Sequence, residues 1–341
     1  MNLSVDKSAP RIDCFLKKRV SFMKKILIPN TDLELSSIGF GTANAGWKST
    51  WDGEAADRMF EGYLAAGGNL IDTAHVYSDW VEGEKSRSER VIGDWIRRRK
   101  KRDDFILMTK GGHPRNETMH ISRLSADDMR EDIEGSLSKL GVDYIDIYMY
   151  HRDDISIPVE ELIERMEDYK KQGKIRYYGC SNWTTERMKA ADAYCAKKGY
   201  RGFVANQAMY NIGVKRMKGV SDKTMVVCDE EMLSYHKNSQ NLLMPFSGNC
   251  SGFFHMLKDF GEERMSKSGY FTEGNLEVAK NIYDLCERKG YSITQVLMGF
   301  FATRDIPMLP LAAANNEEHL KDIAIALKTE FCADDFKFCE K

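Results

Sequence analysis

The chain lacks the closely spaced cysteine pairs that hold a metal or a disulfide framework. Its eight cysteines, Cys14, Cys180, Cys195, Cys228, Cys250, Cys286, Cys332 and Cys339, stand singly, a scatter that fits a reduced intracellular protein. Seven histidines are equally dispersed, without a ligand cluster suited to hydrolysis at a metal. No charge sign predominates: 50 lysines and arginines face 52 acidic residues, for a formal net charge of -2. That balance offers no footprint for nucleic acid or an anionic membrane. The basic run at 97–102 fits a solvated helix end, where positive charge complements the macrodipole. Apolar runs never reach the length of a membrane span, and the first 20 residues have no continuous apolar core of the kind a signal peptide needs. These absences point to a cytoplasmic chain whose partner is a small molecule.

What is present is alternation. With 341 residues and 42% hydrophobic content, the chain can bury one large core. Periodic structure begins near Met23, where two short alternating segments flank the turn-prone Pro29, Asn30 and Asp32, as in a hairpin. Residues 1–22 are expected to be a tail or an upstream start, with both Met1 and Met23 open as the first residue. Eight short apolar runs follow, SSIGFG, NLIDTA, FILMTK, DYIDIYMYH, IRYYGCSN, GFVANQAMYN, NLLMPFSG and PMLPL, separated by longer helical patterns in the manner of repeated βα units. Ser125 offers an N-cap, Met129, Ile133, Leu137 and Leu140 repeat at helical spacing, and Gly141 supplies a stop. Pro158 suits a first helical position and Gly173 the end of that helix. Further helices are expected near 88–99, 184–197, 275–289 and 292–303, the last with Ser292 and Gln295 spaced as a capping box. Residues 212–224 and 251–274 are longer than ordinary connections and read as substrate or cofactor loops.

Four polar residues sit where apolar runs end or just beyond: Asp72, Tyr77, Lys110 and His151. A parallel barrel gathers the C-terminal ends of its strands on one face, so these distant residues are expected to converge. A phenol with a reference pKa of about 10 becomes a more useful proton donor when an ammonium beside it favours the phenolate. Lys110 can be that ammonium, and Asp72 the carboxylate that keeps a buried lysine charged. His151 can donate a hydrogen bond to a carbonyl as negative charge develops on its oxygen. Such a site protonates an oxyanion but holds no hydride source, so reduction needs a bound cofactor. Taken singly, each residue has a plain structural reading as a turn former, packing aromatic, solvated terminus or core histidine.

The segment IDTAHVY, the lysine of MTK, the histidine of YMYH, the pair SN in GCSNW and the glutamine of ANQAMYN, in that order, resemble the motifs of the aldo-keto reductases. The likeness runs from about Met23 to about residue 328. It implies a (β/α)8 TIM barrel with a short N-terminal β-hairpin, occupying 23–330, with 331–341 as a C-terminal tail. It also implies hydride transfer from a nicotinamide to an aldehyde or ketone, with Tyr77 as general acid and Lys110, Asp72 and His151 completing the catalytic set. Cofactor contacts carry over to Gly41, Thr42, Ser181, Asn182, Gln207, Phe246 and Ser247. Phe246 stands where the family usually has a tyrosine stacked on the ring. Asn315 stands where the family has an arginine on the adenosine phosphate. An asparagine cannot grip phosphate bidentately, so the expected cofactor is NADPH with NADH as the alternative.

The substrate is expected to be a small carbonyl compound. Arg152, Asp153 and Asp154 follow His151 and can hydrogen-bond a sugar-like, polyhydroxylated ligand, or else form a salt-bridged surface loop. Trp47, Trp51 and Trp183 are candidates either for an apolar pocket or for packing. A slow nicotinamide-binding regulatory subunit, and a sugar epimerase or lyase that uses the cofactor transiently, stay open as other functions of the same fold.

Overall fold

The computed structural model describes residues 19–21, 25–46, 51, 53–83 and 85–340. Every apolar run named above contains, or lies against, a strand of one sheet: β1 (Gly39–Gly41), β2 (Leu70–Asp72), β3 (Ile106–Gly111), β4 (Ile145–Tyr150), β5 (Ile175–Ser181), β6 (Ala205–Met209), β7 (Leu242–Phe246) and β8 (Leu311–Ala312). The sheet order is β7-β6-β5-β4-β3-β2-β1-β8, and each pairing is parallel. Leu243 of β7 bridges to Met308 just before β8, accepting from Leu309 N at 2.9 Å and donating to Pro307 O at 3.0 Å. The sheet therefore closes on itself as a (β/α)8 barrel.

Strands of this kind read as unbroken apolar runs because both of their faces are covered. In β4, Ile147 and Met149 join Leu70, Met108, Val204, Ala205, Leu242, Met244 and Leu309 in one inner cluster, while Tyr148 and Tyr150 face the helices in another. The predicted hairpin forms from Ile26–Leu27 and Glu34–Leu35. Its Ile28, Leu33 and Leu35 belong to the inner cluster, so the hairpin plugs the barrel end opposite to the C-terminal strand ends.

The helices are α1 (Gly53–Ala65), α2 (Arg87–Arg99), α3 (Ala126–Leu140), α4 (Val159–Lys171), α5 (Thr185–Lys198), α6 (Glu230–Ser239), α7 (Phe253–Met265), α8 (Glu273–Lys289), α9 (Ile293–Ala302) and α10 (Glu317–Ala326). Ser125 caps α3 by accepting from Asp128 N, and Gly141 ends it at φ 67. Ser292 and Gln295 form the expected capping box. Pro158 takes the cap position before α4, one residue earlier than predicted.

Two sequence readings need correction. The stretch 251–274, read as a loop, contains α7. Phe253, Phe254, Leu257 and Met265 are buried there, but Gly261 at φ 77 breaks the helical geometry and hides the period. Residues 331–341, read as a tail, are largely part of the fold. Glu330–Cys332 pairs antiparallel with Arg19–Ser21, Ala333–Glu340 forms 3-10 turns, and the buried rings of Phe331 and Phe336 lie against Gly299 of α9, where no Cβ would fit. Residues 1–18 and 22–24 of the N-terminal region lie outside the described residues. Residues 212–224 remain irregular apart from a 3-10 turn at Val214–Arg216. No helix among the described residues is long and apolar enough to cross a membrane.

The α2–α3 crossing has a sharp test. A Cβ on Gly93 would press against the Lys139 carbonyl oxygen, closer than real Cβ contacts come. In an open helix Gly→Ala stabilises by up to about 1 kcal/mol; here Gly93→Ala is expected to destabilise by about 1–3 kcal/mol, because backbone must move. Urea denaturation measures the sign.

Candidate active site

The parallel register brings the predicted residues together at the C-terminal strand ends. Asp72 ends β2, Lys110 lies near the end of β3, His151 directly follows β4, and Gln207 lies in β6. Asp72 and Lys110 are each 1% exposed. Lys110 Nζ donates to Asp72 Oδ1 at 2.6 Å and to the Thr73 carbonyl at 2.7 Å. Gln207 Nε2 donates to the same Asp72 Oδ1 at 2.9 Å. The ammonium also sits 4.6 Å from the centroid of the Tyr77 ring. That ring meets His151 edge-on, centroids 5.7 Å apart. The four polar residues thus form one contiguous cluster, with Lys110 at its centre.

The electrostatics follow from burial. Burial alone would strip the proton from Lys110, but Asp72 and Tyr77 outweigh it and hold the lysine above its ordinary value. Burial pushes the Asp72 carboxyl up while Lys110 and Gln207 oppose it. With two donors on one oxygen, we assign a charged pair. For Tyr77 the expectation is corrected: burial raises the phenol above 10, and the Lys110 charge only moderates the rise. Tyr77 is therefore protonated at neutral pH. His151 is held well below the ordinary histidine range, by burial first and then by His113, Arg152 and Lys110, so it is a neutral imidazole. Its Nδ1 is buried without a hydrogen-bond partner among the described residues.

His113 is a member that the sequence reading passed over. It follows Lys110 by three residues, its ring centroid is 4.7 Å from that of His151, and burial pushes its pKa down to about 4. It stands beyond Gly111 and Gly112, past the end of the apolar run, and its packing against His151 marks it as part of the cluster. The run after His151 is structural in large part. Asp153 takes both Nε and Nη2 of Arg187, at 2.9 and 3.0 Å, and Asp154 accepts from the Ser156 hydroxyl and backbone. Trp51 is buried against Phe40 and Phe60, and Trp183 against Tyr150 and Phe203. Both tryptophans pack the core, and Trp47 lies outside the described residues. Among the described residues the exposed tryptophan is Trp80, three residues beyond Tyr77.

The candidate cofactor residues divide by the hydrogen bonds they already make. Asn182 is committed: its amide donates to the His151 carbonyl and to Ser181 Oγ, and its oxygen accepts from Val226 N. Thr42 donates its hydroxyl proton to the Asp72 carbonyl. Ser181 accepts from Asn182 but keeps its own proton to give, and Gln207 Oε1 has no partner among the described contacts. Together they offer one donor and one acceptor, which is what a carboxamide needs. A Cβ on Gly41 would meet the Ala312 carbonyl oxygen and Leu311 Cβ at ordinary contact distance, 3.7 and 3.9 Å. The partly buried Phe246 ends β7 with an aromatic ring, and the Ser247 carbonyl accepts from Asn211. This donor set fits a nicotinamide nucleotide. Asn315 lies exposed before α10 and accepts from Asn44 at 3.3 Å. Among the described residues no group of three or more His, Cys, Asp or Glu side chains could hold a metal ion.

The model of the Aldo/keto reductase family matches residues 37–341. An aryl-alcohol dehydrogenase [NADP(+)] of Phanerodontia chrysosporium is 27% identical, over 86% of this chain and 79% of its own. Norsolorinic acid reductase B of Dothistroma septosporum is 26% identical, over 86% and 73%. Among solved structures, a thermostable aldo-keto reductase in complex with the inhibitor epalrestat superposes with a TM-score of 0.69 at 20% identity, covering 93% of this chain and 98% of that one.

Buried neutral histidines make a pH signature. His75, His113 and His236 are each pushed by burial from 6.5 down to about 4, and His151 lies well below 6.5. Unfolding returns them to the ordinary range, so between about pH 6.5 and 4 the unfolded chain binds protons that the native chain refuses. Glu89, pushed up to about 7 by burial, offsets part of this. Stability is expected to fall steadily from pH 6.5 towards 4, with net uptake of more than one proton on unfolding. Urea titrations across that range read the slope; a flat profile would contradict the assignment.

Proposed function

Because this chain belongs to the aldo/keto reductase family, and is thus an NAD(P)H-dependent oxidoreductase of small carbonyl compounds, we propose that it reduces an aldehyde or ketone to the alcohol with Tyr77 as proton donor. The observation that carries this reading is the Lys110 ammonium, held at 2.6 Å by Asp72 and 4.6 Å from the Tyr77 ring centroid. When bound, the reduced nicotinamide supplies the hydride to the carbonyl carbon. Tyr77, protonated at neutral pH, gives its proton to the carbonyl oxygen as charge develops there. Lys110 stabilises the phenolate that results, and Asp72 keeps Lys110 charged in a buried setting. His151, being neutral, donates one ring N–H to the same carbonyl oxygen and orients it. Ser181 and Gln207 would hold the carboxamide of the cofactor, and Asn182 acts behind them by fixing the His151 carbonyl.

NADPH is the proposed cofactor, in keeping with the NADP(+) in the name of one relative. NADH is the alternative, because Asn315 supplies no guanidinium for a 2′-phosphate. For the substrate, we favour an aromatic aldehyde or aryl ketone over a sugar-like carbonyl. The carboxylates that would recognise a polyol, Asp153 and Asp154, are engaged with Arg187 and Ser156. Exposed apolar side chains, by contrast, gather on the loops after β2, β3 and β4: Trp80, Met119, Ile121 and Ile155. One of the relatives carries the name aryl-alcohol dehydrogenase.

Tyr77→Phe keeps the ring and removes the donor. Binding of NADP(H) is expected to persist while carbonyl reduction falls by about 10² to 10⁴; near wild-type turnover would overturn the role of Tyr77. With the wild-type enzyme and NADPH, kcat/KM for aromatic aldehydes is expected to exceed that for ketosugars. The reverse order would overturn the substrate assignment.

A further inference from the structure

The strand that delivers His151 delivers a second polar residue, Arg152, which is just as deeply placed: the two are each 7% exposed. Its guanidinium makes three bonds. Nη1 donates to the His151 carbonyl at 3.0 Å, Nε to Thr224 Oγ1 at 2.9 Å, and Nη2 to Asp222 Oδ2 at 3.3 Å. Asp222 is itself prepared for this contact, since its other oxygen accepts from Thr224 N at 2.9 Å and Thr224 Oγ1 at 2.6 Å. The segment behind it is stitched to the barrel: Val226 N donates to Asn182 Oδ1, the Val226 carbonyl accepts from Met209 N, and Cys228 N donates to the Met209 carbonyl. Trp183 Nε1 donates to the Arg152 carbonyl at 3.2 Å. The long irregular segment after β6 and the charged residue after His151 are therefore two halves of one latch.

We propose that Arg152, latched to Asp222, is a positioning residue for the reduction: it fixes the backbone of His151 and, as a second buried cation beside Lys110, favours the phenolate left when Tyr77 gives up its proton. This inference rests on the reading of Tyr77 as the donor. The His151 carbonyl is held from two sides, by Arg152 and by Asn182 Nδ2 at 3.3 Å, which sets the imidazole against the Tyr77 ring. The groups that face Tyr77 are Asp72 from β2, Lys110 from β3 with His113 beyond it, and His151 and Arg152 from the end of β4, with Asp222 behind Arg152. His113 and His151 are neutral at alkaline pH, so the charges acting there are Lys110, Arg152, Asp72 and Asp222. The Arg152 charge lowers the Tyr77 pKa against the rise caused by burial. Asp222, kept ionised by Thr224 and Arg152 despite burial, blunts that cation.

The latch and the electrostatic role separate by sign. Arg152→Gln and Asp222→Asn break the same latch but remove opposite charges. The alkaline limb of kcat/KM for carbonyl reduction, which titrates Tyr77 coupled to Lys110, is expected to move up by about half a pH unit or more in R152Q and down in D222N, in keeping with single-charge effects on a partly buried group. Arg152→Lys, which keeps the charge but loses the fork, is expected to leave the limb in place while lowering kcat. Limbs that stay put, or that move the same way in R152Q and D222N, would overturn the proposal whatever happens to the rate. If R152Q does not fold, the downward shift in D222N and the fixed limb in R152K still decide. Tyr77→Phe keeps the two readings apart: an active Y77F enzyme with an unchanged limb would overturn the donor assignment itself. An inactive Y77F beside an unmoved R152Q limb would overturn only the role of Arg152.

Discussion

A buried ammonium is the constraint on which this molecule turns. Removing Lys110 from water costs several kcal/mol unless a carboxylate and further hydrogen bonds replace the lost solvent. Asp72, the Thr73 carbonyl and the nearby phenol do so. Those partners come from β2 and its following loop while Lys110 comes from β3, and they meet only if the strands run parallel and in register. The barrel supplies that geometry, and the apolar interior beneath, from Leu70 to Leu309, keeps the strand ends dry enough for charge to act strongly across short distances. Gln207 reaches in from β6 to the same carboxylate oxygen, so the pair also ties opposite parts of the barrel together.

Around that pair, each group is set by how much hydrogen-bonding capacity it has left. Ser181 and Gln207 retain one donor and one acceptor, Asn182 has spent both amide protons, and the His151 carbonyl is saturated while its Nδ1 has no partner among the described residues. The division separates groups that can meet a cofactor or substrate from groups that hold the first kind still. It also assigns the polar run after His151 to the framework, which shifts the expected substrate from a polyol towards an apolar carbonyl compound.

Much of this was legible in the sequence, for identifiable reasons. Parallel strands covered on both faces read as uninterrupted apolar runs, so all eight barrel strands and the helices with clean caps, such as Ser125 to Gly141 and Ser292 with Gln295, could be placed. Polar residues at the ends of those runs marked the site. What stayed hidden depends on three-dimensional context. Gly261 splits the apolar period of α7, the C-terminal rings of Phe331 and Phe336 gain meaning only against Gly299, and the pairing of Asp153 with Arg187 joins the loop after β4 to the first turn of α5. The direction of the Tyr77 shift was misread for a related cause. Spacing shows that a cation is near, but only coordinates show that burial of the phenol outweighs it. His113 stands beyond Gly111 and Gly112, past the end of the apolar run, and only its packing against His151 marks it as part of the cluster.

The protonation of the central pair can be seen directly by neutron diffraction from a deuterated crystal at neutral pH. Three deuterons on Lys110 Nζ, none on the Asp72 carboxylate and one on the Tyr77 oxygen are the expected result. A neutral amine at Lys110 beside a deuterated Asp72 carboxyl would contradict the account, because no cation would then stand behind the phenol when its proton leaves.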